Sequence, residues 1–342
     1  MIRNIEVFNQ RFIPEDLHHR DGHIEELRHA LDGIPDPKRH EMVTIYGPSG
    51  SGKTTLARYV ARRFETEYPD LCVGYIDCIM QSTQTSALEE LFGQTRLVPT
   101  VPTSPNRRFD YLAALRDAAD PVLVIVDEVD FLEEPRLIHA LHGTRGVWPI
   151  VIGIDETELL ANMHPGVRTR LQSARHIRLS RFTHNQLTDI VWSRIERGLQ
   201  SKDIVRPSAV DAIVERAEGN AGIAIAILRA CIYHLDPHNR EPITTDVVDI
   251  VKEAAEAGVR ARYADRLATH PRLLFELIAA ADSISASQLK REYVARAPNP
   301  RGDSMRQNYL GQLQRYGLVY TTGSGRGTRY HAMPVESTDA GI

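Results

Sequence analysis

The stretch GPSGSGKT, residues 47–54, fits the pattern G-x-x-x-x-G-K-[ST] at every position. Glycines let backbone N–H groups close around phosphate oxygens, and a helix that begins at the lysine adds the positive end of its dipole. In that context Lys53 reaches the β- and γ-phosphates, and the Thr54 hydroxyl binds Mg²⁺. The motif therefore predicts a site for ATP or GTP. Its predicted phosphate-binding residues are Gly47, Pro48, Ser49, Gly50, Ser51, Gly52, Lys53, Thr54 and Thr55.

A second stretch, VLVIVDEVD at residues 122–130, ends an apolar run with carboxylates. If that run is a strand beside the phosphate motif, its carboxyl end brings these acids close to the phosphates. Asp127 would then hold Mg²⁺ through water, and Glu128 would orient and deprotonate an attacking water molecule. The alternative is a solvated strand end, which the order of the two motifs disfavours.

A parallel sheet is needed to bring these motifs together, and the apolar segments indicate one. Five short apolar runs alternate with amphipathic helical patterns. Near-continuous apolar strands separated by helices are typical of a parallel sheet that is covered on both faces. The sequence therefore predicts an α/β nucleotide-binding architecture. Its five predicted strands are residues 42–46, 71–76, 121–126, 148–154 and 176–179.

Strand patterns disappear after residue 180, where amphipathic segments up to about residue 256 predict a small helical domain. From about residue 259 the chain has three more helical patterns and then two strand-like runs, joined by the glycine-rich turn GSGRG at 323–327. Three helices and a hairpin predict a winged helix-turn-helix domain. Such a domain places its third helix in the major groove of DNA and its hairpin against phosphates or the minor groove.

Charge makes this C-terminal domain a candidate DNA-binding module. The chain has a net charge of −4, yet residues 260–331 carry twelve Arg and Lys against five Asp and Glu, which indicates an anionic partner. We expect Arg306 and Gln307 to lie outside or at the margin of the third helix, where either could read the bases of duplex DNA. Arg326 and Arg329 lie at the glycine turn, where they would contact phosphates or the minor groove. A solvated basic face and a wing that docks protein remain as alternatives.

The composition indicates a cytoplasmic protein without a membrane segment. Charged side chains in the first twenty residues rule out the apolar core of a signal peptide. The longest apolar run, AGIAIAIL at residues 221–228, is too short to cross a bilayer. Cys72, Cys78 and Cys231 lack metal-ligand spacing and are predicted to be reduced and mostly buried.

Taken together, these residues resemble an AAA+ ATPase. More narrowly, the chain resembles the archaeal replication-initiator family related to the eukaryotic origin recognition complex and cell-division-control protein six. The resemblance runs along nearly the whole chain and begins at FIPEDLHHRDGHIEEL, residues 12–27. There Pro14, Leu17, His19 and Arg20 match the segment that lines the adenine pocket in that family.

The resemblance implies a fold, cofactors and partners. The fold is an AAA+ core with a five-stranded parallel sheet at residues 1–180, a helical lid at 181–257 and a winged-helix domain at 258–342. The cofactors are ATP and Mg²⁺. The partners are double-stranded DNA, the replicative helicase and other initiator subunits, which implies a nucleoid-associated location.

Two further segments gain a role from the resemblance. VRTRL at 167–171 is similar to the family's Val-x-Ser-Arg-Leu segment. Arg170, or Arg168, is therefore a candidate arginine finger, which would act on the nucleotide of a neighbouring subunit. A solvated arginine at a helix end is the alternative. The Pro/Thr/Ser-rich loop at 98–108 falls where these initiators carry a DNA-contacting insertion, but it is short here.

Two positions depart from the family pattern. After the fourth strand the family places an Asn that senses the γ-phosphate, whereas this chain has Asp155 or Glu156, and an anion would repel phosphate. In the lid, Gly222 stands where the family has an Arg that reaches the nucleotide. Both departures predict slow hydrolysis.

The function predicted from the sequence is ATP-dependent DNA binding in the initiation of replication, with origin recognition and helicase recruitment. One alternative is a similar ATPase that regulates a mobile element, plasmid maintenance or transcription. Another is a nucleotide-gated scaffold with little turnover.

Overall fold

Five parallel strands form the main sheet, in the order β2–β3–β4–β1–β5. The computed structural model of the chain describes residues 2–34, 36, 41–95, 97, 107–161, 163, 165–235 and 241–335. All five predicted strands are present, and each end lies within one residue of its prediction. The strands are β1 (Val43–Tyr46), β2 (Cys72–Asp77), β3 (Val122–Asp127), β4 (Val147–Gly153) and β5 (Arg175–Arg178).

Helices cover this sheet, and every residue of β3 and β4 is buried. Leu27 and Phe64, from two of these helices, pack with Trp148 of β4 in one apolar cluster. Burial on both faces explains why the strands are apolar without alternation. The helices of this part are α1 (Asp21–Leu31), α2 (Lys53–Glu67), α3 (Gln84–Gln94), α4 (Arg107–Arg116), α5 (Arg136–Gly143), α6 (Glu156–Ala161) and α7 (Pro165–Ser173).

The register of the sheet gathers polar groups at one edge. Asp77 and Asp127 end the neighbouring strands β2 and β3 and stand opposite each other. Gly47 follows β1, and β1 lies between β4 and β5. Because all five strands are parallel, their carboxyl ends meet at this edge, which is where open α/β sheets bind ligands.

The chain divides into two compact units, one formed by Arg11–Ile190 with Gly219–Ala221 and the other by Met1–Gln10, Val191–Glu218 and Gly222–Ile342. The second unit includes the N-terminal residues because they pack on a helix of that unit. Phe8 lies so close to Gly198 that a Cβ there would stand 2.1 Å from its ring. The Arg194 guanidinium donates to the Val7 carbonyl at 2.6 Å. The helices that follow the main sheet are α8 (His184–Gly198), α9 (Pro207–Ala217), α10 (Ala221–His234) and α11 (Thr245–Arg266).

The last part of the chain is a winged helix. Its helices are α12 (Thr269–Ala279), α13 (Ala286–Arg296) and α14 (Asp303–Arg315), and its strands are β6 (Ile284–Ser285), β7 (Val319–Thr322) and β8 (Arg329–Ala332). The strands form an antiparallel sheet in the order β6–β8–β7, so the predicted hairpin is confirmed. Gly323 has a φ of 75°, and a Cβ there would stand 2.5 Å from the Gly327 carbonyl oxygen, so the turn requires glycine.

The structure also bears on the predicted domain boundaries, the proline-rich loop, the cysteines and the membrane prediction. Helix α11 is continuous across the boundary predicted between residues 257 and 258, and the three-domain division stays a prediction. Residues 98–106 of the proline-rich loop lie outside the described residues. Cys72, Cys78 and Cys231 are buried, as predicted, and form no disulfide among the described residues. None of the described helices combines the length and the apolar character needed to cross a membrane.

Candidate nucleotide site and DNA interface

The loop between β1 and α2 has a conformation that only glycine adopts easily. Gly47, Gly50 and Gly52 have φ values of 153°, 74° and 89°. A Cβ on Gly50 would stand 1.8 Å from the Asn220 amide oxygen, and one on Gly47 would stand 2.3 Å from the Leu179 carbonyl oxygen. These glycines therefore cannot be replaced without moving the loop.

The first turn of α2 follows this loop without a side-chain cap, because Gly52 occupies the N-cap position. The unpaired N–H groups of a helix N-terminus form an anion site. Lys53 is 7% exposed, and its ammonium donates to the carbonyl oxygens of Gly47 at 2.8 Å and Pro48 at 3.1 Å. The positive charge therefore lies directly over the start of the loop.

Thr54 joins the loop to the acidic end of β3, as the two motifs predicted. Its hydroxyl donates to the Asp127 carboxylate, Oδ2, at 2.7 Å, and the Tyr75 hydroxyl donates to the same oxygen at 2.7 Å. Burial raises the pKa of Asp127, and the two hydrogen bonds oppose the rise. A cation beside this carboxylate would favour its ionised form.

Glu128 follows Asp127 in a backbone conformation that is unusual for its type. Its φ is 53°, in the left-handed region. Non-glycine residues in this region are strained, and such strain concentrates at functional sites. The Glu128 N–H donates to Asp127 Oδ1 at 2.9 Å, so the turn orients both acids together. One residue beyond Val129, the Asp130 carboxylate accepts from the Ile154 N–H at 3.0 Å and ties this turn to the end of β4.

The N-terminal segment supports the loop from behind. The buried Arg20 guanidinium donates to the carbonyl oxygens of Ser51 at 2.8 Å and Ser180 at 3.1 Å, and it lies 3.9 Å above the Phe182 ring. Burial lowers the pKa of Arg20. His19, with a φ of 59°, bonds Asp189 at 2.8 Å, and Leu17 packs on the apolar cluster under the sheet.

Sequence reasoning missed three residues that shape this site. Asn220 packs against Gly50, Phe182 lies 3.6 Å from a Cβ built on Gly52, and Tyr75 bonds Asp127. Asn220 lies far along the chain from the loop, and nothing in the sequence pairs the two. Tyr75 stands two residues before the carboxyl end of β2, so knowing that β2 neighbours β3 would have identified it.

In the winged helix, the structure corrects the expected position of Arg306. It is 5% exposed, and its guanidinium pairs with Asp303 at 2.8 Å, so the prediction that it faces outward is wrong. Arg306 lies three residues before Tyr309 and four before Leu310, both of which are buried in the domain core. Residues at these spacings share one face of a helix, so Arg306 lies on the buried face of α14. Gln307 is exposed, as expected.

Of the two hairpin arginines, Arg329 has a side chain that the structure describes. Arg329 is exposed at the start of β8, and its guanidinium donates to the Ser283 hydroxyl at 2.8 Å and carbonyl at 2.9 Å. It therefore joins the hairpin to the residue before β6. The Arg326 side chain lies outside the described part of the structure.

Comparison with known proteins bears on both sites. An AAA domain model matches residues 37–190. The ORC1-type DNA replication protein 9 of Halobacterium salinarum is 28% identical over 333 residues, which cover 96% of this chain and 93% of that protein. The chain is therefore similar along nearly its whole length to an archaeal ORC1-type DNA replication protein. The resemblance stated from the sequence is therefore confirmed.

Solved structures support the fold of this chain. The Aeropyrum pernix ORC1 protein, solved in complex with DNA, matches with a TM-score of 0.71 and 20% identity over 97% of this chain and 93% of that one. The ORC2 protein of the same organism, solved as ADPNP–ADP complexes, matches with a TM-score of 0.65 and 22% identity over 97% and 94%. The predicted AAA+ core and winged helix are confirmed, and the chain is a nucleotide-binding AAA+ protein.

The structure shows which residues contact the two positions that depart from the family pattern. Glu156 pairs with Arg178 at 2.5 Å and with His176 at 3.5 Å, so its negative charge is compensated by neighbours on β5. The Gly222 carbonyl oxygen accepts from the Gln10 amide at 2.6 Å. Neither position provides the uncharged or cationic donor that the family has there.

The candidate arginine finger, Arg170, lies on α7. The Arg170 guanidinium is 2.8 Å from His142 Nδ1 and donates to it, which requires that ring nitrogen to be unprotonated. The neighbouring Arg168 donates to the Met163 carbonyl at 3.3 Å. The role of Arg170 toward a second subunit stays a prediction.

Proposed function

We propose that this chain is an ATP-dependent, DNA-binding initiator of DNA replication that recognises origins and recruits the replicative helicase. The observation that carries the proposal is the extent of the likeness to a replication protein, 96% of this chain and 93% of that relative. A match of this extent includes both the nucleotide site and the winged helix, rather than the AAA domain alone. The proposed location is the nucleoid.

The loop residues fit the phosphates of ATP. Three glycines with positive φ line the loop, and the first N–H groups of α2 have no side-chain cap. The buried Ser51 hydroxyl has no hydrogen-bond partner among the residues that the structure describes. Backbone N–H groups of residue 47 and residues 49–55 would bind the phosphates, and the Lys53 ammonium would turn from the loop carbonyls toward them. Leu17, His19 and Arg20 shape the adenine side.

The acids at the end of β3 hold the metal and the water. Thr54 and Asp127 would hold Mg²⁺, which neutralises phosphate charge when bound. Glu128 takes a proton from the attacking water, and Arg170 acts on the nucleotide of a neighbouring initiator subunit. Because an acid stands at Asp155 or Glu156 and no arginine stands at Gly222, turnover by the isolated chain is slow.

The winged helix binds duplex DNA in this proposal. Gln307 lies on the exposed side of α14 and is placed to contact base edges, while the hairpin brings Arg326 and Arg329 to phosphates or the minor groove. Arg306 instead holds Asp303 at the start of α14. Its contribution is to the fold of the domain.

The hairpin role predicts a change in salt dependence. Neutralising both arginines in Arg326→Ala/Arg329→Ala should weaken binding to every duplex sequence, because bonds to phosphate carry no sequence information. The log–log slope of affinity against salt should flatten by about two units, at about 0.9 for each phosphate that the protein no longer neutralises. Salt titrations on specific and random duplexes measure the slope.

A matched control removes the same charge elsewhere. Arg62→Ala/Arg63→Ala takes two exposed arginines from α2 and should leave the slope unchanged. An unchanged slope in the hairpin variant would mean that the wing does not contact DNA, and the domain would then be better interpreted as a protein-docking module.

A second candidate function is a nucleotide-gated scaffold with little turnover, or a related ATPase that serves a mobile element, plasmid maintenance or transcription. The observation that favours it is the Glu156–Arg178 pair, since Asp155 or Glu156 stands at the position of the expected γ-phosphate donor. Tight ADP retention without measurable turnover would support the scaffold. DNA contacts at the ends of a mobile element would support the related ATPase.

A further inference from the structure

Three hydrogen bonds converge on the Asp127 carboxylate. Its Oδ2 accepts from the Thr54 hydroxyl and from the Tyr75 hydroxyl, both at 2.7 Å, and its Oδ1 accepts from the Glu128 N–H at 2.9 Å. Asp127 is 2% exposed. Thr54 and Glu128 already have roles in the nucleotide site. Tyr75 has none, although it supplies one of the two side-chain donors.

The position of Tyr75 is itself fixed by a neighbouring helix. β2 is an edge strand, so one side of its backbone has no partner strand in the sheet. The Gln94 side chain takes that place, since its amide oxygen accepts from the Tyr75 N–H at 2.8 Å and its amide nitrogen donates to the Tyr75 carbonyl at 2.9 Å. The Arg58 guanidinium lies 5.1 Å from the ring centre. These contacts hold the Tyr75 backbone and flank its ring, and the hydroxyl of that ring reaches Asp127.

We propose that Tyr75 is a positioning residue for the metal ligand Asp127, an inference that rests on the proposed nucleotide function. A carboxylate on a single bond rotates unless its oxygens are held. Thr54 holds Oδ2 from α2 and Tyr75 holds the same oxygen from β2, so together they fix the plane of the carboxylate. Without the Tyr75 hydroxyl, Thr54 is the one remaining side-chain donor to that oxygen among the residues that the structure describes.

The choice of cation distinguishes this role from general support of the fold. Mg²⁺ demands near-octahedral geometry, whereas Ca²⁺ tolerates varied angles and ligand numbers. A carboxylate that rotates more freely should therefore weaken the Mg²⁺ site far more than a Ca²⁺ site. Loss of an outer hydrogen-bond partner to a metal ligand typically costs about 10–100-fold in metal affinity.

The test is the affinity of Tyr75→Phe for ATP in EDTA, in Mg²⁺ and in Ca²⁺, with the melting temperature measured alongside. We expect the affinity in EDTA to match the wild type and the gain that Mg²⁺ provides to fall about tenfold or more. The gain from Ca²⁺ should change much less. Tyr59→Phe is the control, because it removes a hydroxyl from another ring that lies beside an arginine, Arg63 at 4.5 Å.

An unchanged Mg²⁺ gain in Tyr75→Phe would overturn the inference, and so would an equal loss in all three solutions. If that variant fails to fold, Gln94→Met removes the bonds that position Tyr75 and tests the same idea, and a wild-type Mg²⁺ gain there overturns it. A wild-type protein that bound no nucleotide would overturn both this inference and the proposed function. Normal binding by the wild type with an unaffected Tyr75→Phe would overturn this inference alone.

Discussion

Replacing Lys53 with alanine is expected to abolish tight binding of ATP and ADP, with a loss of at least about a hundredfold in affinity. The ammonium lies over the first two carbonyls of the loop, 2.8 and 3.1 Å away, and is buried among them. Charge-assisted hydrogen bonds to phosphate are among the strong ones, and alanine supplies no donor in their place. Calorimetric titration of nucleotide into the purified chain measures the effect.

Lys252→Ala is the matched control for this change. Lys252 lies on α11, where it faces Glu256 at 3.9 Å on the helix surface. Its loss should leave nucleotide affinity unchanged. Wild-type affinity in Lys53→Ala would mean that the loop does not bind phosphate, and the assignment of the nucleotide site would be wrong.

Glu128→Gln is expected to bind ATP as the wild type does and to hydrolyse it at least about a hundredfold more slowly, because only the base that takes a proton from water is lost. The substitution keeps the backbone N–H that donates to Asp127, so the neighbouring acid stays in position. Since the wild type itself should turn over slowly, single-turnover assays with labelled ATP are the suitable measurement.

An exposed acid on α9 provides the control for the Glu128 substitution. Glu215→Gln on α9 changes the same charge on the protein surface and should leave the hydrolysis rate as it is. If Glu128→Gln hydrolysed ATP at the wild-type rate, the water-activating role would belong to another residue.

The sheet and the phosphate loop could be predicted because their signals are local. A strand buried on both faces must be apolar throughout, and a phosphate loop needs glycines and a lysine at fixed spacing. The link between Thr54 and Asp127 followed from two motifs that a parallel sheet brings to one edge. These inferences needed no knowledge of strand order.

Two contacts that the sequence did not predict depend on partners far along the chain. Tyr75 reaches Asp127 because β2 neighbours β3, and Glu156 finds Arg178 near the carboxyl ends of β4 and β5, on either side of β1. The Arg306 prediction failed for a local reason, because the spacing from Tyr309 and Leu310 puts this residue on the buried face of α14. An arginine can enter a core when a partner such as Asp303 compensates its charge.

The measurement that tests the proposed function most directly is a map of where this chain binds the chromosome of its own cells, obtained by crosslinking and sequencing the bound DNA. The account predicts strong peaks at repeated duplex sites beside the regions where replication starts. Peaks at the ends of mobile elements would contradict a role as a replication initiator. Uniform coverage of the whole genome would contradict it as well.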